Sequence, residues 1–232
     1  MIEIRRAQDR GGADHGWLKT FHTFSFAEYY DPAQMGFSVL RVINEDRVEG
    51  GAGFPTHGHR DMEIITVVLS GALEHRDTLG NHSVIHPGEV QRMSAGTGIR
   101  HSEFNHLREE TTHFYQIWIQ PDKAGHLPGY EQKSFAGELE KKNWVLAASG
   151  AGRDGSVKMN QDAELWLGRI QSGAREKREL NPQRKYWLQV ISGDLQVNGQ
   201  RLATTDGLAV SGESALDLTA SEDSRVLFFD LP

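Results

Sequence analysis

Five short runs rich in branched and aromatic side chains, FSVLRVI, MEIITVVLSG, HFYQIWI, YWLQVISG and SRVLFFDL, recur along the chain, separated by glycines and other turn-forming residues. Runs of this length fall short of a typical buried helix, and side chains of this kind suit a pleated surface. Repeated at this rhythm they predict an all-β chain built as a sandwich or closed barrel. Of the 232 residues, 38% are aliphatic or aromatic and 25% are charged, which supplies a folded core and argues against disorder.

An internal echo divides the chain. The segment Val67-Val68-Leu69-Ser70-Gly71-Ala72-Leu73-Glu74 returns as Gln189-Val190-Ile191-Ser192-Gly193-Asp194-Leu195-Gln196, and each copy is followed by a turn, at 79–81 and 198–200. A glycine closing an apolar strand suits a bend that a Cβ would obstruct. Two related barrels in tandem follow, divided between residues 125 and 126. The connector spans Pro121 to Val157, where a Leu127-Pro128-Gly129 turn and the polar stretch GELEKKN interrupt the rhythm. Glu138 and Lys142, four apart, predict a short helical turn there. If the run from His57 to Leu69 is one continuous strand, Glu63, Ile65, Val67 and Leu69 share the face of His57 and His59 and line the barrel interior.

All eleven histidines lie at or before His126. Aligning Gly71 with Gly193 places Glu179 and Asn181 where the first half carries His57 and His59, so the second barrel is expected to be structural. In the first half, His57-x-His59 and His101-x-Glu103 are two pairs whose members share a strand face, so each pair aims two donors at one point. Three imidazoles and a carboxylate suit a divalent transition metal, and the absence of cysteine removes thiolate sites. Glu63 is a second candidate carboxylate. An isolated histidine is more often an ordinary core or surface residue, and His82, His86, His106 and His126, in turn-rich segments, are read that way. His15, His22, His75 and His113 stay open between core and surface. The aromatic group Trp17, Phe21, Phe24, Phe26, Tyr29, Tyr30 and Phe37 either lines a pocket for a flat substrate or packs the outside of the barrel, and packing is the expectation for most of it.

The net charge is −7 and no Lys or Arg run interleaves with aromatics, which argues against direct nucleic-acid binding. The opening MIEIRRAQDRGG has no apolar signal region, and no stretch approaches the ~18 apolar residues of a membrane span. A cytoplasmic protein without membrane contact is expected.

The pattern Gly51-x5-His57-x-His59-x3-Glu63 is similar to the first motif of the cupin superfamily, and Gly96-x-Gly98-x2-His101-x3-Asn105 matches the end of the second. Within cupins, the block HGHRDMEIITVVLSGALEHRDTLGNHSVIHPGEVQRMSAGTGIRHSEFN and the upstream HGWLKTFHTFSFAEYYDPAQMGFSVLRVINED resemble pirins, from about His15 to Ile119. The C-terminal half resembles the degenerate second cupin of bacterial pirins that act as quercetin 2,3-dioxygenases. This resemblance implies two tandem cupin barrels (double-stranded β-helix, jelly-roll-like), with residues 1–125 as the metal-binding domain and 126–232 as a domain without ligands. It further implies His57, His59, His101 and Glu103 as the metal ligands, leaving Glu63 as a hydrogen-bond acceptor for a ligand imidazole. Gly58 is a departure, since pirins commonly place proline between the two histidines, and a less rigid loop is expected.

The resemblance also implies an activity. The metal is expected to be Fe(II), with Zn, Ni, Co, Cu or Mn able to occupy the same ligands. The substrates are a flavonol such as quercetin and O2, and the central ring opens with release of CO. The three histidines would hold the metal against the 3-hydroxyl oxygen, and Glu103 would take the hydroxyl proton as the catalytic base. Pirins also include co-regulators, so the rival expectation is a metal- or redox-sensing binding protein with a protein partner and no turnover. A third is a cupin isomerase or hydrolase using zinc or manganese.

Overall fold

The computed structural model describes all 232 residues. The first half contains β1 (Ile2–Arg5), β2 (Gly11–Asp14), β3 (Leu18–His22), β4 (Leu40–Val48), β5 (Gly53–His59) and β6 (Glu63–Ser70). It continues with β7 (Leu73–Asp77), β8 (His82–Ile85), β9 (Glu89–Ser94), β10 (Ile99–Asn105), β11 (Thr112–Ile119) and β12 (Gly129–Ser134). After one helical turn, α1 (Ala136–Leu139), come β13 (Trp144–Ser149), β14 (Val157–Lys158), β15 (Glu164–Ile170), β16 (Arg175–Glu179) and β17 (Lys185–Ser192). The last strands are β18 (Asp194–Val197), β19 (Gln200–Ala203), β20 (Gly207–Ser211), β21 (Ala215–Ala220) and β22 (Ser224–Leu231). No helix is long and apolar enough to cross a membrane.

Each half is a barrel of one large and one small sheet. The first pairs β12-β9-β6-β11-β4-β3-β2 with β5-β10-β7-β8, and the second pairs β1-β20-β17-β22-β15-β13-β14 with β16-β21-β18-β19. The two tandem barrels expected from the glycine-punctuated runs are therefore present. Their edges interlock. Ile2–Arg5 pairs antiparallel with Gly207–Ser211 of the second barrel, and Gly129–Ser134 extends the large sheet of the first. A boundary at 125/126 thus severs two real pairings, because backbone hydrogen bonding, which composition does not report, carries the first strand across and holds β12 back. The helical turn anticipated around Glu138 and Lys142 is there, with the two side chains 3.3 Å apart.

The large sheets pack back to back. A cluster of 24 buried residues draws Ile43, Ile65, Val67, Tyr115 and Ile117 from the first barrel and Leu165, Leu167, Trp187, Leu227 and Phe229 from the second. This corrects the expected face of β6. Asp61, at φ +48°, turns the chain between β5 and β6, which lie in different sheets. Ile65 and Val67 consequently face the other barrel, while Ile64 and Val68 enter the interior of their own. A strand buried on both faces reads as a continuous apolar run, so its pattern carries no information on which face is which. An ion-pair cluster closes one side of the large sheet. Glu45, 1% exposed, accepts from Arg10 at 2.9 Å and from His113 at 3.0 Å, with Arg47 at 2.8 Å. Although burial opposes ionisation, the bond from His113 and the charges of Arg10 and Arg47 hold its carboxyl down to about 2.

The second barrel is filled. Leu188, Val190, Leu195, Val197, Leu208, Val210, Leu216, Leu218 and Phe228 belong to its own 15-residue core cluster. The echo seen in sequence has a structural cause at both glycines. Gly71 (φ +79°) and Gly193 (φ +95°) turn their strands, and an added Cβ would come within 2.5 Å of Thr112 Oγ1 at the first and 2.2 Å of Ser224 Oγ at the second. Gly71→Ala and Gly193→Ala are each expected to destabilise by about 1–3 kcal/mol through strain at positive φ and steric overlap, read as a lowered midpoint in chemical denaturation. An unchanged midpoint in either variant contradicts the close approach at that position.

Candidate metal centre

The site lies where the small sheet of the first barrel closes over the large one. β10 alternates strictly, with Ile99, His101, Glu103 and Asn105 buried and Arg100 and Phe104 exposed. It pairs antiparallel with β5 so that His101 stands opposite His57 and Ile99 opposite His59. The register shifts between His101 and Glu103, where β5 accommodates an extra residue. Three imidazoles close on one another, with ring centroids 4.4 Å apart for His57 and His101, 4.8 Å for His57 and His59, and 4.9 Å for His59 and His101. One nitrogen from each lies within 4.8 Å of the others.

Hydrogen bonding prepares these groups unequally. His57 Nδ1 donates to the Pro55 carbonyl at 2.8 Å, which leaves Nε2 with its lone pair free. His101 Nε2 and Glu103 Oε1 are buried without any partner, whereas Glu103 Oε2 accepts from Gln116 Nε2 at 2.9 Å. Orphaned polar atoms this deep are costly unless something binds them, and a cation answers a bare imidazole nitrogen and a bare carboxylate oxygen together. Burial and the neighbouring imidazoles His101 and His57 hold His59 down to about 4, and burial with His57 and His75 holds His101 down to about 3. Both rings are therefore neutral at pH 7, the form that donates a lone pair. A divalent metal fits this donor set.

Glu63 is elsewhere. Its Oε2 accepts from Ser94 Oγ at 2.7 Å and its Oε1 from Asn160 Nδ2 at 3.0 Å, so it joins the two halves of the chain and bonds none of the three imidazoles. Gly58 belongs to strand β5, paired with Arg100, and is not in a loop; only ordinary contacts surround its place for a Cβ. His82 and His106 bond Glu74 at 3.1 and 3.2 Å, and His126 bonds Asp122, all away from the cluster.

A cavity of about 960 Å³ opens beside the cluster, lined by His57, His59 and Glu103 together with Phe26, Tyr29, Phe54 and Trp118. Trp118 meets the edges of both His59 (4.9 Å, 84°) and Phe26 (5.3 Å, 89°). Of the aromatic group read from sequence, Phe26 and Tyr29 line the cavity, while Phe24 and Phe37 pack against Trp187 of the second barrel. Polar side chains, Thr20, His22, Asn44, Asp46 and Gln116, line it as well. Gln116 and Trp118 stand inside the apolar run HFYQIWI, and Asp46 inside the polar stretch Asn44-Glu45-Asp46-Arg47, so neither context marks them as lining a cavity. Their alternation with Ile43, Tyr115 and Ile117, which pack against the second barrel, was the available signal.

Asp46 is 4% exposed and forms no ion pair. Burial pushes its carboxyl up to about 7, with Glu103 and Glu45 adding to the rise and the Thr20 hydroxyl opposing it. Because the folded value lies above the ordinary carboxylate value, the native state holds the extra proton, and stability falls as pH rises from about 4 toward 7. Asp46→Asn is expected to raise the thermal midpoint of the metal-free protein more at pH 8 than at pH 5. Equal shifts at both pH values in differential scanning fluorimetry contradict the buried, protonated acid.

Comparison with known proteins places this geometry. Residues 3–119 match the family model for pirin and residues 146–231 the model for the quercetinase C-terminal cupin domain. The chain is 50% identical over 232 residues to a protein of Escherichia coli K12 named quercetin 2,3-dioxygenase, covering 100% of this chain and 99% of the relative. It is 42% identical over 231 residues to a pirin-like protein of Caulobacter vibrioides, covering 99% of each. Among solved structures it superimposes on the bacterial pirin YhhW of Escherichia coli in complex with nickel(II) with a TM-score of 0.95 and 50% identity, covering 100% of this chain and 99% of that one. With both models matched in order and identity extending over the full length, this chain belongs to the pirin family and its two barrels are cupin domains.

Proposed function

We propose that this protein is a metal-dependent dioxygenase of the quercetinase type, with His57, His59, His101 and Glu103 holding a divalent metal and a flavonol occupying the adjoining cavity. The observation that carries this reading is the junction of two features. Glu103, with Oε1 orphaned, lines an aromatic-walled cavity of about 960 Å³ beside His57 and His59, and the orphaned His101 packs against both of those imidazoles. That volume falls within the range of about 300–1,000 Å³ that holds drug-sized ligands. A sensor without a substrate has no need of such a cavity, and relatives named quercetin 2,3-dioxygenase favour a flavonol as its occupant. The nickel(II) complex of the Escherichia coli relative supports a divalent metal at the cluster, and Fe(II) suits its nitrogen and oxygen donors.

The bound metal would supply Lewis acidity toward a substrate oxygen and a route for electrons to O2. The residues do the rest. Phe26, Tyr29, Phe54 and Trp118 would hold a flat ring system by its faces and edges and exclude water. His57 and His59, from the β5 side of the cluster, would fix the depth to which the 3-hydroxyl enters. Gln116 restrains Oε2 of Glu103, and Oε1, the oxygen that would hold the metal, would loosen from it to take the hydroxyl proton. Departure of that proton makes an electron-rich flavonolate, the form that reacts with O2. Ring opening then incorporates both oxygen atoms and expels one ring carbon as CO.

Anaerobic loading with Fe(II), followed by quercetin and O2, is expected to give saturable substrate loss with one CO per quercetin. Slow, unsaturable loss without CO counts against the enzyme. Glu103→Gln is expected to retain the three imidazoles and lower kcat by about 100-fold or more, the scale of losing a positioned base. Metal retention with full turnover in that variant removes Glu103 from the proton transfer. Trp118→Ala is expected to raise KM for quercetin more than it lowers kcat, because it removes contact with the ring system and leaves the ligands in place; an unchanged KM sinks the assignment of that wall to substrate.

A further inference from the structure

Behind His101 lies another imidazole, His75, fully buried on β7. The β7–β10 pairing sets Asp77 opposite His101 and His75 opposite Glu103. His75 Nε2 is 3.0 Å from Asp77 Oδ2. Asp77 is in turn cradled as an acceptor, its Oδ1 taking the backbone N–H groups of Leu79 and Asn81, and both its oxygens taking the Asn81 side-chain amide. A carboxylate in that cradle only accepts, so the proton of a neutral His75 lies on Nε2 and its Nδ1 carries a lone pair.

That Nδ1 faces two groups, Gln91 Nε2 and His101 Nδ1, each at 3.5 Å. Both must then donate. His101 accordingly carries its proton on Nδ1, which leaves Nε2 as a bare lone pair, and Nε2 is the buried atom without a partner.

We propose that Asp77 and His75 form a buried relay that fixes the tautomer of His101, making them positioning residues that act on the metal site through one of its imidazoles. A metal-bound histidine commonly gives its second N–H to a carboxylate or carbonyl. Here a second imidazole is interposed, so the surface turn at residues 77–81 sets the donor state of a ligand deep in the barrel. The inference rests on the reading of His101 as a metal ligand, but the tautomer is a property of the protein alone.

Long-range 15N–1H NMR correlation on metal-free protein labelled at histidine reads the tautomer directly. The expected result is a bare Nε2 and a protonated Nδ1 at His101, and the reverse tautomer overturns the proposal whatever the variants do. Cobalt(II) affinity by titration calorimetry is the second readout. Asp77→Asn presents an N–H to His75 Nε2, drives the His75 proton to Nδ1 and forces the wrong tautomer on His101, so affinity is expected to fall about 10- to 100-fold. His75→Leu removes the acceptor and is expected to lose a similar amount. His75→Gln, whose amide oxygen can accept from His101 Nδ1, is expected to recover most of that loss. Wild-type affinity in both Asp77→Asn and His75→Leu overturns the relay. If the wild-type protein bearing the stated tautomer binds no cobalt(II) at these histidines, the metal reading fails and the tautomer relay stands.

Discussion

Burial of the two large sheets against each other is the constraint from which the rest of the molecule follows. Strands β4, β6 and β11 have one face sealed by the second barrel, through Ile43, Ile65, Tyr115 and Ile117, and this fixes their register. The alternate residues then have only one place to go, the interior of the first barrel. Asn44, Asp46, Gln116 and Trp118 reach the cavity by that route. A one-residue slip would carry the acid and the amides into the apolar interface and expose the apolar set to the cavity, which is why the polar wall is held without needing any special turn of its own.

The two barrels divide the work unequally. The second fills its interior with leucine, valine and phenylalanine, while the first leaves about 960 Å³ open and places polar side chains around it. An unfilled interior forgoes packing that would otherwise stabilise the fold. The interface compensates, and so do pairings that cross it, such as β1 with β20 and Glu63 with Asn160. The second barrel thus supports an open interior that a lone barrel of this size would find harder to maintain, which gives a physical reason for the pairing of the two domains.

Within the first barrel, charge is segregated by face. Glu45, on the side toward the second barrel, is held ionised by His113, Arg10 and Arg47, while Asp46, the next residue but on the cavity side, meets no cation and is pushed toward the protonated form. Two adjacent carboxyls therefore end at opposite extremes because successive strand residues face different surroundings. The same alternation separates exposed Arg100 from buried His101. A strand pair thereby presents a neutral, lone-pair-rich cluster inward while keeping its cations in water.

The all-β class, the two-barrel plan and the clustering of His57, His59 and His101 were legible in the sequence, because strand periodicity and the His-x-His spacing are local and need only two residues per turn of the pleat. The repeat at Gly71 and Gly193 was legible for the same reason, since a positive-φ bend leaves a glycine at a fixed place. The inward face of β6, the allegiance of β1 and β12, and the positions of Glu63, Asp46, Gln116, Trp118 and His75 were decided by tertiary structure alone. Each depends on which sheet covers which face or on partners distant along the chain. A strand buried on both sides carries no mark of which side holds the chemistry; that is settled only when the second barrel closes one of them.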